Sequence, residues 1–281
     1  MGLDEIRIRI LVDNKGAAGL VGEHGFAAWI EMSGHTILFD TGQGQALIPN
    51  AAVMGSDLSR TDTLILSHGH YDHSGALSQV LPIAPTARVY CNPGCFLPRY
   101  SIRAGEAPRN ISMAIADKKA ISTLPSERIH WAIAARKLFP SAGITGPISR
   151  VHPLEDPGGP FFLDPEGMLP DPIEDDLAIW IETSRGLLII TGCCHSGLIN
   201  TVTHIRAISG VERVHGILGG LHLANASRER LDATCSALRQ WNPDFIMPCH
   251  CTGDGAVAAL RDQLGSTVTP GHAGLELYRA L

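Results

Sequence analysis

No apolar run of about 20 residues occurs in the 281-residue chain, so no membrane-spanning helix is expected from it. The first residues, Met1-Gly2-Leu3-Asp4-Glu5, are acidic where an export signal is basic and then apolar. A soluble, cytoplasmic protein is the expectation. Positive charge is also scarce. Lys and Arg number 22 against 28 Asp and Glu, and the net charge of −6 gives no general affinity for nucleic acid or an anionic membrane. Aromatic residues are only 5% of the chain and form no stripe with basic ones, which disfavours a nucleic-acid-processing nuclease. Regular Cys-x-x-Cys pairs are missing too. The seven cysteines, Cys91, Cys95, Cys193, Cys194, Cys235, Cys249 and Cys251, read as reduced thiols rather than as a disulfide framework or a structural zinc cluster. Internal repeats and low-complexity tracts are absent.

What the chain does have is apolar residues: 44% of it, ample for a sizeable core in one large domain or two modest ones. Strand-like runs are expected at 6–12, 26–31, 36–39, 64–66 and 88–91, with a helix over 74–81. Further on, 177–182 and 187–191 flank the turn Ser184-Arg185-Gly186 as a hairpin. Helices at 198–209, 228–240 and 256–264 then alternate with strands at 214–218 and 245–247, which predicts a layered α/β protein. Residues 92–172 break this rhythm. Prolines and glycines such as Pro93-Gly94 and Pro157-Gly158-Gly159-Pro160 predict mostly loop, either a tolerated surface insertion or a lid that selects substrate.

Residues 64–75 read Leu-Ile-Leu-Ser-His-Gly-His-Tyr-Asp-His-Ser-Gly, an apolar run that breaks into His68, His70, Asp72 and His73. A strand end followed by a tight loop gathers these side chains into one small volume, and three imidazoles with a carboxylate suit a borderline-soft metal such as zinc. His68 and His70, at i and i+2, leave the same face of an extended chain and can share one ion. Asp72 and His73 lie past the turn and point to a second position. Two adjacent divalent ions lower the pKa of a bridging water and yield a hydroxide nucleophile without Ser or Cys.

The motif His-x-His-x-Asp-His resembles the metal loop of the metallo-β-lactamase superfamily. Three further blocks stand in matching order: Ile37-Leu38-Phe39-Asp40-Thr41-Gly42, Leu188-Ile189-Ile190-Thr191-Gly192-Cys193 and Ile246-Met247-Pro248-Cys249-His250. Together they cover almost the whole chain. The resemblance implies a single αββα four-layer sandwich over 1–281, with 92–172 as an insertion or lid, and two divalent ions, zinc first with manganese or iron as alternatives. It also places His250 at the family's last histidine position. His195, between a strand and a helix, is a further candidate ligand.

This chain departs from the superfamily in two places. Glu174-Asp175-Asp176 stands where most members have a histidine, and Cys193 where most have an aspartate. Cys193 is therefore either a thiolate ligand or a buried neutral thiol, and Asp176 a ligand, a base or a solvated hairpin start. Asp40 is expected to orient a ligand histidine rather than to bind metal. His222, in Gly219-Gly220-Leu221-His222-Leu223, is a candidate to bind substrate or donate a proton; Asp72 is a candidate to share that proton transfer. His24 and the other isolated histidines carry no supporting motif.

The combination of Ser-His-x-His-Tyr-Asp-His-Ser-Gly, Gly-Cys-Cys-His-Ser-Gly and His-Cys-Thr-Gly resembles the branch often labelled dihydropterin ribofuranosylaminobenzene phosphate synthase. It suggests a small phosphorylated or phosphodiester substrate, with Arg99, Arg103 and Arg109 either as cationic contacts or as an ordinary solvated face. The expected activity is hydrolysis by a metal-bridged hydroxide. A synthase-like transferase and a non-catalytic metal-dependent binding protein are the alternatives; a diiron redox enzyme is disfavoured because His70 stands where a glutamate would be expected.

Overall fold

The computed structural model describes residues 5–280. The first half of the chain holds β1 (Glu5–Val12), β2 (Ala27–Met32), β3 (His35–Phe39), α1 (Leu47–Val53), β4 (Thr63–Ile65), α2 (Tyr71–Ser74), α3 (Leu77–Ile83), β5 (Arg88–Cys91), β6 (Tyr100–Ser101), β7 (Arg109–Asn110) and α4 (Ile115–Ser122). There follow β8 (Ile129–Trp131), β9 (Arg136–Phe139), β10 (Ala142–Ile144), β11 (Phe161–Phe162), β12 (Ala178–Thr183), β13 (Gly186–Thr191), α5 (Leu198–Ser209), β14 (Val214–Gly220), α6 (Arg228–Trp241), β15 (Phe245–Cys249), α7 (Asp254–Leu264) and β16 (Glu276–Ala280). One sheet runs β16-β1-β2-β3-β4-β5-β8 and a second runs β15-β14-β13-β12-β10-β9.

Strand alternation explains how both faces of each sheet are buried. In β2, Ala28, Ile30 and Met32 join the core between the sheets, whereas Ala27 and Trp29 point to the opposite face. In β13, Leu188 and Ile190 face inward and Leu187 and Ile189 outward. Leu47 of α1, Leu77 and Val80 of α3 and Ile121 of α4 close the outer face of the first sheet. Leu198 and Val202 of α5, Leu238 of α6 and Leu260 of α7 close that of the second. The result is a helix–sheet–sheet–helix sandwich.

The stretch 92–172 is not one uniform insertion. β8 pairs with β5 at the edge of the first sheet, and β9 and β10 extend the second through β12. Its remainder carries a three-stranded sheet, β11-β6-β7, and a segment that pairs with the metal loop through the His70–Ser112 bridge and the Met113 amide bound to the Gly69 carbonyl. The single helix expected over 74–81 is broken: α2 ends at Ser74, capped by Gly75, and α3 begins at Leu77. β16, antiparallel to β1, was not expected from the sequence.

Candidate metal centre

β3 and β4 are parallel, as are β13, β14 and β15, so their carboxyl ends fall at common edges. Such edges are where open α/β sheets place ligands. Asp40 follows β3, His68 and His70 follow β4, Cys193 and His195 follow β13, His222 follows β14 and His250 follows β15. Three of these residues, Asp40, His222 and His250, and the neighbouring Cys194 have φ between 46 and 63°. That left-handed backbone is unfavourable for side chains with a Cβ, and it concentrates here because each chain turns sharply off a strand.

Donor atoms converge in the space so formed. His68, His70 and His195 lie with ligand atoms within 4.8 Å of one another, as do His68, His73 and Cys193, and His24, Asp72 and His250. His68 Nε2 is 2.9 Å from His70 Nδ1. His73 Nε2 is 3.1 Å from Cys193 Sγ and 3.3 Å from His250 Nε2, and Asp72 Oδ2 is 3.3 Å from the same His250 nitrogen. The far nitrogens of four rings are pinned. His73 Nδ1 donates to Asp40 Oδ2 at 2.7 Å, and His195 Nδ1 donates to the Pro157 carbonyl at 2.7 Å. His68 Nδ1 lies 2.8 Å from Ser67 Oγ and His250 Nδ1 lies 2.9 Å from Asn14 Oδ1. Asp40 itself is locked by the Ser67 amide and hydroxyl, both at 2.7 Å. Such outer contacts fix ring tautomer and aim the inner nitrogen.

Burial is the first reason that His68, His70 and His195 sit well below the usual imidazole range; neighbouring imidazoles add to it for His68, Arg99 for His70 and His222 for His195. Burial likewise pushes His222 and His250 down to about 4. For His73 burial acts in the same direction, but the Asp40 carboxylate outweighs it and lifts the ring to about 9. Burial opposes charge on Asp72 also, yet its contacts with His24 and His250 hold it well below the usual carboxylate range. Neutral imidazoles and an ionised carboxylate are the states that bind metal; all of these groups except His73 already hold them, and His73, kept protonated by Asp40, would release its Nε2 proton to an ion. The Nε2 atoms of His70 and His195 are buried without a hydrogen-bond partner. Orphaned buried nitrogens are rare in folded proteins; a cation beside His195 would satisfy its Nε2, whereas His70 turns Nδ1 towards His68 Nε2. The donor set fits divalent metal.

Other expected residues fall elsewhere. Asp176 belongs to none of the donor groups: its Oδ2 accepts the Ser196 amide at 2.7 Å, supporting the His195 turn, and burial raises it to about 6. Arg99 is neither a solvated face nor free to meet a substrate. It is buried, with Nε 2.9 Å from Asp171 and a two-pronged contact with Asp175, and Asp175 in turn accepts the Gly69 amide at 2.8 Å. Arg109 is exposed and stacks on Tyr71, its guanidinium carbon 5.2 Å from the ring centre. Arg103 lines a cavity of about 590 Å³ together with Asp156, Gly158 and Asn225. Gly158 presses against the His222 ring so closely that a Cβ there would collide with it.

Sequence reasoning missed four contributors. His24 Nε2 reaches Asp72 Oδ2 at 3.1 Å, and Cys251 joins Cys193 and His250 in a further donor group. Phe161 stands 5.4 Å from the rings of His70 and His195 and 5.9 Å from that of His222. Arg230 binds the Asp156 carbonyl and carboxylate and so ties down the turn that presents Pro157 to His195. The only sequence signal for any of these was the His-Cys-Thr-Gly run containing Cys251.

Residues 21–201, well over half the chain, match the family model described as metallo-beta-lactamase superfamily. Uncharacterized protein MJ0448 of Methanocaldococcus jannaschii is 32% identical over 272 residues, covering 95% of this chain and 98% of that protein. From the same organism, the 7,8-dihydropterin-6-methyl-4-(beta-D-ribofuranosyl)-aminobenzene-5'-phosphate synthase is 26% identical, covering 90% and 88%. The crystal structure of Tm1679, described as a metal-dependent hydrolase of the beta-lactamase superfamily, superposes with a TM-score of 0.84 at 26% identity, covering 98% of this chain and all of that one. With its sandwich, its strand-end donors and these likenesses, the chain belongs to the metallo-β-lactamase superfamily.

Proposed function

We propose that the chain is a hydrolase with a two-metal centre acting on a small phosphorylated or phosphodiester substrate. The observation that carries this reading is the convergence of His68, His70, Asp72, His73, Cys193, His195 and His250 at the strand ends, with buried nitrogens left unpartnered. In this reading His68, His70 and His195 hold one ion, Asp72, His73 and His250 the other, and Cys193 stands beside both. Zinc suits the donors best, with manganese or iron as alternatives. When bound, the ions supply Lewis acidity and lower the pKa of a water towards neutrality.

The chain's own residues do the rest. Asp40 and Pro157 accept the Nδ1 protons of His73 and His195, so that the Nε2 of each ring is the nitrogen left to face an ion. His222, neutral at physiological pH and with its Nδ1 unpartnered, is placed to accept a proton from the attacking water and then pass it to the leaving group, with the ionised Asp72 as the other candidate for that transfer. Phe161 limits water around His70 and His195. Arg103, on the cavity beside Gly158, supports the anionic character of the substrate.

The test is to load chelated protein with zinc, manganese or iron and assay phosphomonoesters, phosphodiesters, lactones and thioesters. Turnover of a phosphorylated compound, lost in the His70→Ala/Asp72→Ala double variant together with metal, is expected. Metal binding without turnover on the whole panel would leave a binding protein; a chain that takes up no metal would overturn the centre itself. A transferase reading draws on the relative named as a synthase. It requires that a phosphorylated compound be consumed only when an acceptor is added.

A further inference from the structure

We propose that Cys251 supplies a second thiolate, beside Cys193, to the metal position held by His73 and His250, making that position selective for zinc-like ions. The inference rests on the two-metal reading above. Consecutive residues of an extended strand point to opposite faces, so a histidine and the cysteine after it do not normally share a ligand. Here His250 has φ 48°, and the chain turns at once into the single 3₁₀ turn His250–Thr252. Both side chains therefore reach the same space. Ligand atoms of Cys193, His250 and Cys251 all lie within 4.8 Å of one another.

The surroundings keep room for this sulfur. Thr252 Oγ1 donates to the Cys249 carbonyl at 2.7 Å and accepts the Leu221 amide at 3.1 Å, which fixes the turn. Gly220 faces it with no side chain: a Cβ there would come within 2.7 Å of Cys251 Sγ and also run into the Gly192 carbonyl. The Cys251 thiol donates to the Cys193 carbonyl at 3.4 Å, so it sits over the turn that carries the first thiol. Two sulfurs and two imidazole nitrogens, beside the Asp72 carboxylate at the same position, make a softer donor set than imidazole and carboxylate alone, which favours zinc, cobalt or cadmium over manganese or magnesium. The position held by His68, His70 and His195 has no sulfur of its own apart from its neighbour Cys193, so the two positions differ in the metals they prefer.

Cobalt(II) loading of the chelated full-length protein reads this directly, because thiolate ligands give a sulfur-to-cobalt charge-transfer band. The wild type should show the band at two equivalents. Cys251→Ser should lower it by roughly half, Cys193→Ser by a similar share, and the double variant should abolish it. An undiminished band in Cys251→Ser, with complete loss in Cys193→Ser, would overturn the proposal while leaving the two-metal centre standing. A wild type that binds no cobalt would overturn both. A second readout needs no variant: Cys251 is the one cysteine of the seven that is not buried. In the metal-free protein it should react first with a disulfide reagent, and one equivalent of zinc beyond the first should protect it. Reaction at an unchanged rate in the fully loaded protein would also sink the idea. Circular dichroism, with Cys251→Ala as a second variant, separates lost ligation from lost folding.

Discussion

At the scale of single residues, the centre depends on groups that touch no metal position. Asp40 accepts three hydrogen bonds, from the Ser67 amide, the Ser67 hydroxyl and His73 Nδ1. Asp40→Asn offers an NH₂ to partners that themselves donate, and the His73 proton then shifts to Nε2, the nitrogen that faces Cys193 and His250. Metal affinity at that position should fall about 10–100-fold, measured by competition with a chromophoric chelator. Asp176 gives a different signature. Its folded carboxyl keeps its proton up to about pH 6, against 3.8 for the ordinary group. The stability this contributes is therefore full below pH 3.8 and is lost as pH rises through 6, an amount on the order of 3 kcal/mol. In metal-free protein the stability of the wild type relative to Asp176→Asn should fall by about that much between pH 3.5 and 7. Urea unfolding at both pH values checks it, and a difference independent of pH would mean that folding does not shift the titration of Asp176.

At the scale of elements, the metal loop is braced from outside its own strand. Asp175 holds the Gly69 amide, and buried Arg99 holds Asp175 and Asp171. Arg99→Met leaves two buried carboxylates without their cation and should cost about 3–5 kcal/mol; thermal unfolding measures the loss, and a change below 1 kcal/mol would show that the carboxylates find other partners. Why sequence reading misplaced this arginine is plain in physical terms. Arg99, Arg103 and Arg109 look alike in sequence, and only the return of the chain at Asp171 and Asp175 makes the first of them internal. The metal loop was legible because His68, His70, Asp72 and His73 are local and adjoin an apolar strand. His24 was not, because its partner Asp72 is brought to it only by folding. The long strands of both sheets were likewise readable from their alternation, while β8 (Ile-His-Trp) and β10 (Ala-Gly-Ile) are too short to show a period. Proline and glycine between them then suggest loop, although hydrogen bonds from β5 and β12 recruit them as sheet edges.

At the scale of the molecule, the cavity beside the site, not the buried arginine, is where an anionic substrate would register. Arg103→Ala with Arg109→Ala should leave metal content and stability unchanged and weaken binding of the best phosphorylated substrate by about 1–3 kcal/mol per lost charge-assisted contact. Steady-state kinetics on that substrate decide it; an unchanged KM would make both side chains an ordinary solvated surface. The donors themselves come from both halves of the sandwich. His68, His70, Asp72 and His73 hang from the first sheet, and Cys193, His195 and His250 from the second. Between the sheets the core is apolar, and this rim is crossed by hydrogen bonds, such as the Leu177 amide to the Ser67 carbonyl and the His250 amide to Asp13, that any opening of the two halves must break. A cation gripped from both sides is a clasp across that opening. Its effect should reach well beyond the rim: at a free zinc concentration of about 100 times Kd the fold gains roughly 2.7 kcal/mol by mass action. Amide protons in β3, β4, β13 and β14 should then exchange with solvent more slowly than in the chelated protein. Equal exchange with and without zinc would mean that the rim is already shut by the protein alone.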